Sequence, residues 1–275
     1  MAKLKALMGD YPVTKQFRAR TDRFDFAEVK GSPAPMFKRV VREQAFDVAE
    51  LAIMTYLVAK AHRTPYRLLP FVAVARFQHP FLRFNAERTP SLKPEALEGK
   101  RVGVRSYSVT TGAWIRAILM EDYGVDIGRV NWVTFEEPHV AEFRDPPNVQ
   151  RAPAGKDITG MLLAGELDAA ILGAIPTDER LRPLVADLEG GAQRWRERHG
   201  GAIQLNHLVV VRESMPKAEA DEVYRLLLES KKAAGDPPHL PHGIEPNRRN
   251  LEVAIECALR QGMILRRFTV EELFE

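Results

Sequence analysis

The stretch richest in chemistry is Arg105-Ser106-Tyr107-Ser108-Val109-Thr110-Thr111-Gly112-Ala113-Trp114. A strand pattern from Arg101 to Arg105 ends on a cation, and a hydroxyl-rich turn follows. A helix pattern then begins, carrying Trp114, Ile115, Ile118 and Leu119. The first turn of a helix offers amide N–H groups without intrahelical partners, and the helix dipole adds positive potential, so this corner favours an anion. Gly112 lets the backbone approach a ligand, and Thr110 or Thr111 is expected to cap the helix. A carboxylate suits the turn better than a polyphosphate, because the repeated glycines and Gly-Lys-Ser/Thr of phosphate loops are missing. The plainer alternative is a Thr-capped helix behind an exposed arginine.

Three further residues have the chemistry for proton transfer. Glu50 sits in an otherwise small and apolar segment, either at the mouth of a crevice or bridged to Arg39 or Arg42. His79 leaves an apolar strand in Arg76-Phe77-Gln78-His79-Pro80, three residues after a cation, and His207 lies in Asn206-His207-Leu208. Imidazole gives or takes a proton near neutral pH, although a lone histidine is more often structural or solvated. Glu137, His139 and Glu142 lie in a loop without the rigid spacing of a metal site, so no metal is assigned, with a divalent ion left open. Neither a Ser-His-Asp arrangement nor a dinucleotide fingerprint occurs, and no cofactor is expected.

The elements that must hold these residues show an internal echo. Phe46-Asp47-Val48-Ala49-Glu50-Leu51-Ala52 reads against Leu167-Asp168-Ala169-Ala170-Ile171-Leu172-Gly173, each after a short amphipathic helix pattern and each opened by an Asp. Glu50 thereby falls opposite Ile171. Tyr11-Pro12-Val13-Thr14 likewise reads against Tyr107-Ser108-Val109-Thr110. Strand and helix patterns alternate through both halves, which points to two similar α/β lobes with mostly parallel sheets and a ligand crevice between them. The tail holds helix patterns around Ala218–Leu228 and Asn250–Arg260 but few strands. Lobe 1 is therefore expected to be discontinuous, residues 1–87 with 207–275, and lobe 2 to span 88–206, with a hinge at the two crossings.

Composition excludes several classes. The chain has 275 residues, enough for two medium domains, and 45% hydrophobic content is ordinary for a globular protein. Net charge is only +3, with no basic run interleaved with aromatics, so nucleic acid is not an expected partner. No apolar run reaches membrane-spanning length, and the first residues read as a strand rather than a signal peptide, so a cytoplasmic protein is expected. The single Cys257 lies in a helix pattern and reads as a small core residue. Assembly into a homo-oligomer is left open.

Phe37-Lys38-Arg39-Val40-Val41-Arg42-Glu43-Gln44-Ala45-Phe46-Asp47-Val48-Ala49-Glu50-Leu51 resembles the signature of the 4,5-dihydroxyphthalate decarboxylase family. So do Arg76 with His79, Gly103-Val104-Arg105-Ser106-Tyr107, Thr110-Thr111-Gly112-Ala113-Trp114-Ile115-Arg116, Tyr123-Gly124-Val125, and Asn206-His207. The resemblance implies a type II periplasmic-binding-protein-like fold: two α/β lobes, a hinge and an interlobe cleft. It implies a carboxy-lyase of aromatic compound catabolism that removes CO₂ non-oxidatively from a small hydroxylated aromatic dicarboxylate. On this footing Arg105, Ser106, Tyr107, Thr110, Thr111 and Gly112 anchor the substrate, with Arg76 and Arg116 beside them. His79 is expected to donate the proton, Glu50 to tune or replace it, and His207 to hydrogen-bond a ring hydroxyl. The alternatives are a binding protein for an aromatic or sulfonated anion, and another lyase on the same fold.

Overall fold

The computed structural model describes residues 2–275. Its elements run β1 (Leu4–Leu7), α1 (Lys15–Arg18), β2 (Phe24–Phe26), α2 (Phe37–Glu43), β3 (Val48–Ala52), α3 (Ile53–Ala61) and β4 (Tyr66–Ala75). There follow β5 (Leu82–Asn85), β6 (Arg101–Val104), α4 (Thr110–Tyr123), β7 (Asn131–Thr134), β8 (Val149–Arg151), α5 (Ile158–Ala164), β9 (Ala169–Ile171), β10 (Leu181–Pro183) and α6 (Leu188–Arg198). β11 (Leu205–Arg212), α7 (Lys217–Ala233) and α8 (Ile244–Arg260) complete the chain. One compact unit runs to Arg76 and resumes at Ile203–Glu275; the other is Phe77–Ala202. The sequence patterns placed the crossings at 87/88 and 206/207. β5 pairs with β9 and β10, and so belongs to the second unit's sheet.

The first unit is built on a sheet of order β2-β1-β3-β11-β4. β1 runs parallel to β2 and β3, whereas β11 returns antiparallel between β3 and β4. Every residue of β3 is buried, as in a central strand covered on both faces. Pro70 is tolerated because β4 is an edge strand, and its carbonyl accepts from Gly243 N at 2.8 Å. β11 shifts register against β4 between Leu205 and Val209, a local irregularity that spans His207.

The second unit's sheet has the order β10-β5-β9-β6-β7-β8. β6 is parallel to β9 and β7, and β5 is antiparallel to β9 and β10. Each sheet therefore runs mostly one way, as the alternating pattern implies, with a single strand, β11 in the first and β5 in the second, running against the rest. Gly103 in β6 is required by packing: a Cβ there would lie 2.6 Å from Leu167 Cδ1 and 3.1 Å from Ile158 Cγ1. Those side chains belong to or border a core of Met161, Leu162, Leu167, Leu172 and Val133. α6 is polar except for the buried Trp195 and Gly191, and β8 and β10 are three-residue strands. Among the described residues, no helix is long and apolar enough to cross a membrane.

The two halves repeat one device. Asp47 donates its N–H to Lys5 O at 2.8 Å, and its carboxylate accepts from Lys5 N at 2.8 Å. Asp168 donates to Arg101 O at 2.9 Å and accepts from Arg101 N at 2.9 Å. Each clasp fixes the register of a parallel pair, Val48 beside Ala6 and Ala169 beside Val102. Each preceding helix ends in a left-handed residue, Gln44 (φ 51°) and Gly165 (φ 78°), which turns the chain into the strand. Asp168→Ala is expected to lower the urea-unfolding free energy by about 1 kcal/mol, and Asp168→Asn, which keeps an acceptor oxygen, by less. Equal losses for the two variants would show that the clasp's hydrogen bond is not what matters.

Candidate functional site

In the first unit the clasp places Glu50 at the centre of the sheet with no exposed surface. A carboxylate in that position must be satisfied by hydrogen bonds. Its Oε2 accepts from Gly9 N at 2.8 Å. Its Oε1 accepts from the Tyr11 hydroxyl at 3.0 Å and lies 2.6 Å from His207 Nδ1. His207 stands on β11, near the register shift, with its side chain 15% exposed and its ring edge-on to Phe37 at 5.3 Å. With Nδ1 donating to the carboxylate, Nε2 is the ring atom left for proton exchange. The Glu50 carboxylate is met by Gly9, Tyr11 and His207 rather than by the expected Arg39 or Arg42, and Arg39 bridges Glu43. Arg76 follows β4 as an exposed residue whose N–H donates to Gln204 O at 3.2 Å.

In the second unit, β6 delivers Arg105 to the turn that opens α4. Val109, not a threonine, is the N-cap, and no side-chain hydrogen bond caps the helix. Thr110 already lies inside the helix and is buried, which corrects the expected threonine cap. Ser106 is fully buried, and its hydroxyl has no hydrogen-bond partner among the described residues. Tyr107 and Ser108 are buried and Thr111 is half-buried. Arg105 is partly exposed, with Nη1 3.3 Å from Glu136 Oε2 and Nη2 3.5 Å from His139 Nε2. Arg116 points inward. Its fully buried guanidinium donates to Tyr107 O at 2.8 Å, stacks 3.7 Å over the Tyr107 ring and lies 3.2 Å from where a Gly112 Cβ would be. It therefore ties the turn from behind by hydrogen bonding and cation–π contact.

His79, also in the second unit, has a different environment. It is fully buried, and neither ring nitrogen has a hydrogen-bond partner among the described residues. α6 presses on it so closely that a Cβ on Gly191 would sit 3.1 Å from His79 Cδ2. Phe77 lies beside both His79 and Trp195. Burial pushes the imidazole down to about 4, leaving it uncharged at neutral pH and a weak choice of acid. Glu137 and Glu142 are not gathered with His139 into a metal site; no cluster of three or more His, Cys, Asp or Glu suited to a metal occurs among the described residues.

The structure thus brings Glu50 and His207 together, gathers Arg105, Ser106, Tyr107, Thr110, Gly112 and Arg116 at one turn, and sets His79 in a core. Tyr11 and Gly9 were not singled out as site residues. Their one sequence signal was the echo, for Tyr11 follows Lys5 at the spacing by which Tyr107 follows Arg101.

A protein from Comamonas testosteroni named 4,5-dihydroxyphthalate decarboxylase is 31% identical over 196 residues, covering 66% of this chain and 59% of its own. A Pseudomonas putida protein of the same name is 32% identical over 176 residues, covering 59% of this chain and 68% of its own. The chain belongs to the 4,5-dihydroxyphthalate decarboxylase family. It spans less than two thirds of the Comamonas relative's length. No protein-family model matches it. Among solved structures, the alkanesulfonate-binding protein SsuA from Xanthomonas axonopodis pv. citri bound to MOPS superposes with a TM-score of 0.57 at 13% identity, covering 99% of this chain and 98% of that one. SsuA from Escherichia coli gives 0.54 at 10% identity, with 99% and 92% covered. Protein AF1704 from Archaeoglobus fulgidus gives 0.53 at 17%, with 99% and 95% covered. This family member therefore has the two-unit α/β fold of periplasmic binding proteins.

The buried His79 generates a pH prediction. Its folded value of about 4 lies below the ordinary 6.5, so between those values the unfolded chain binds more protons than the folded one. Stability contributed by the neutral ring is complete above pH 6.5 and lost as pH falls towards 4, at up to about 1.4 kcal/mol per pH unit. In urea unfolding at pH 7.5, 6, 5 and 4.5, His79→Leu is expected to lose less stability on acidification than the unsubstituted chain. Parallel curves would show that the ring titrates normally.

Proposed function

We propose that this chain catalyses the non-oxidative decarboxylation of a hydroxylated aromatic dicarboxylate of the 4,5-dihydroxyphthalate type. The observation that carries the reading is the Glu50–His207 pair, a fully buried carboxylate 2.6 Å from a partly exposed imidazole, in a chain whose relatives carry the decarboxylase name. A carboxylate that holds Nδ1 fixes the tautomer and orientation of the ring and balances its charge as a proton passes through Nε2. The donor role expected for His79 passes in this reading to His207, because His79 is uncharged and enclosed.

The reaction needs, in principle, an electron-rich ring and a positioned acid. A hydroxyl para to the departing carboxylate pushes electron density into the ring. His207 delivers its Nε2 proton to the carbon bearing that carboxylate. The carbon–carbon bond then breaks, its electron pair restores the aromatic ring, and CO₂ leaves. Solvent reprotonates the imidazole. Acid catalysis of this kind contributes about 10²–10⁴-fold. Within its own unit the Arg105 turn is the candidate anchor for a carboxylate, since α4 begins there without a side-chain cap and the Ser106 hydroxyl has no partner among the described residues. Arg116 supports that turn rather than meeting the substrate.

The second reading is a binding protein for a small aromatic or sulfonated anion, favoured by the fold shared with SsuA and by the same uncapped helix. Incubation with 4,5-dihydroxyphthalate, following released CO₂ and ring absorbance, separates the two. Turnover is expected, with His207→Ala lowering kcat at least about 100-fold; binding without CO₂ release would select the second reading. Arg105→Ala is expected to weaken dicarboxylates about tenfold more than the matching monocarboxylates in KM or Kd. Equal losses would remove Arg105 as the anchor.

A further inference from the structure

We propose that Tyr11 is a positioning residue of the Glu50–His207 pair, its hydroxyl sharing the one carboxylate oxygen that His207 uses and so limiting how tightly ring and carboxylate bind each other. The catalytic meaning rests on the function proposed above; the geometry does not. Glu50 Oε1 receives both the Tyr11 hydroxyl at 3.0 Å and His207 Nδ1 at 2.6 Å, while Oε2 receives Gly9 N at 2.8 Å. Two donors on one acceptor compete for its electron density, so each weakens the other. With Glu50 closed to solvent, removal of one donor strengthens the remaining one.

Tyr11 is held for this task from several sides. Its N–H donates to Thr14 Oγ1 at 3.1 Å, and the buried Thr14 hydroxyl lies 2.7 Å from Gly9 O. Pro12 fixes the backbone that follows. The phenol lies directly over Gly9, where a Cβ would come within 2.4 Å of two ring carbons. Burial, and then the Glu50 charge, hold the phenol above its ordinary value, so it remains a donor through the physiological range, with Ser32 and Arg76 the other groups facing it. Tyr56 and Tyr66 are also buried, but their hydroxyls donate to the backbone carbonyls of Leu273 and Phe46. Those are structural ties. Tyr11 alone of the three reaches a side chain that is itself paired to an imidazole.

The experiment uses the full chain labelled with ¹⁵N-histidine and follows the hydrogen-bonded Nδ1–H proton of His207, identified by its loss in His207→Gln. Tyr11→Phe is expected to move this resonance downfield, and Gly9→Ala, which displaces the phenol without removing it, is expected to do the same. Tyr66→Phe leaves it in place. In the decarboxylation assay, Tyr11→Phe is expected to lower kcat roughly tenfold with KM changed less than about twofold. An unmoved resonance in Tyr11→Phe overturns the proposal whether or not the chain releases CO₂. A moved resonance with unchanged kcat overturns the catalytic role. Failure of the decarboxylase reading leaves the resonance test standing.

Discussion

A carboxylate without solvent contact, set in a strand buried along its whole length, is the constraint around which the first unit is organised. Leaving such a group unsatisfied costs several kcal/mol, so the neighbouring elements must bring donors to it. Two residues past the end of β1, the Gly9 amide meets one oxygen. The turn after β1 brings the Tyr11 phenol, and β11 enters antiparallel with His207 one strand away. The register of β1 against β3, fixed by the Asp47 clasp, decides whether these donors coincide with the acceptor. Chemistry and architecture therefore share one origin: the interaction that satisfies the buried charge also orients the imidazole.

The second unit keeps the same framework without that charge. Ile171 occupies the place of Glu50, and its neighbours are aliphatic. The polar burden moves to the β6–α4 turn, where Arg116 is buried behind Tyr107, and to His79 beneath α6. These two groups illustrate different uses of burial. Arg116 donates to a carbonyl and stacks on an aromatic face, and so stiffens the turn from behind. His79 is enclosed by Gly191 and flanked by Phe77, and it is kept neutral.

Much of this was legible in the chain because the signals were local. The β6 pattern, the turn and the helix from Thr110 follow one another, and the echo at Asp47 and Asp168 corresponds to a real repeated clasp. The opposition of Glu50 and Ile171 likewise survives in the structure. What was hidden depends on contacts far apart in sequence. The Glu50–His207 bond spans 157 positions, and no spacing rule predicts it. The antiparallel return of β11 is also a long-range choice, which is why the one opposing strand in an otherwise parallel sheet has no local signal. α6 escaped notice because its polar composition carries only Trp195 and Gly191 inward. The threonine cap failed because helix geometry starts one residue earlier than the hydroxyl pattern.

The duplicated aspartate clasp has a consequence for how the chain reaches its native state. Lys5 and Arg101 present the same amide and carbonyl to an incoming aspartate, so a nascent β1 could recruit β9, and β6 could recruit β3, with both locks engaged. Local chemistry does not tell correct partners from exchanged ones; the strand behind the lock does. An exchanged arrangement strands Glu50 from His207 and sets Ile171 among polar neighbours. The polar cluster thus gives the native pairing an energetic advantage over the exchanged one that the repeated clasp by itself does not supply.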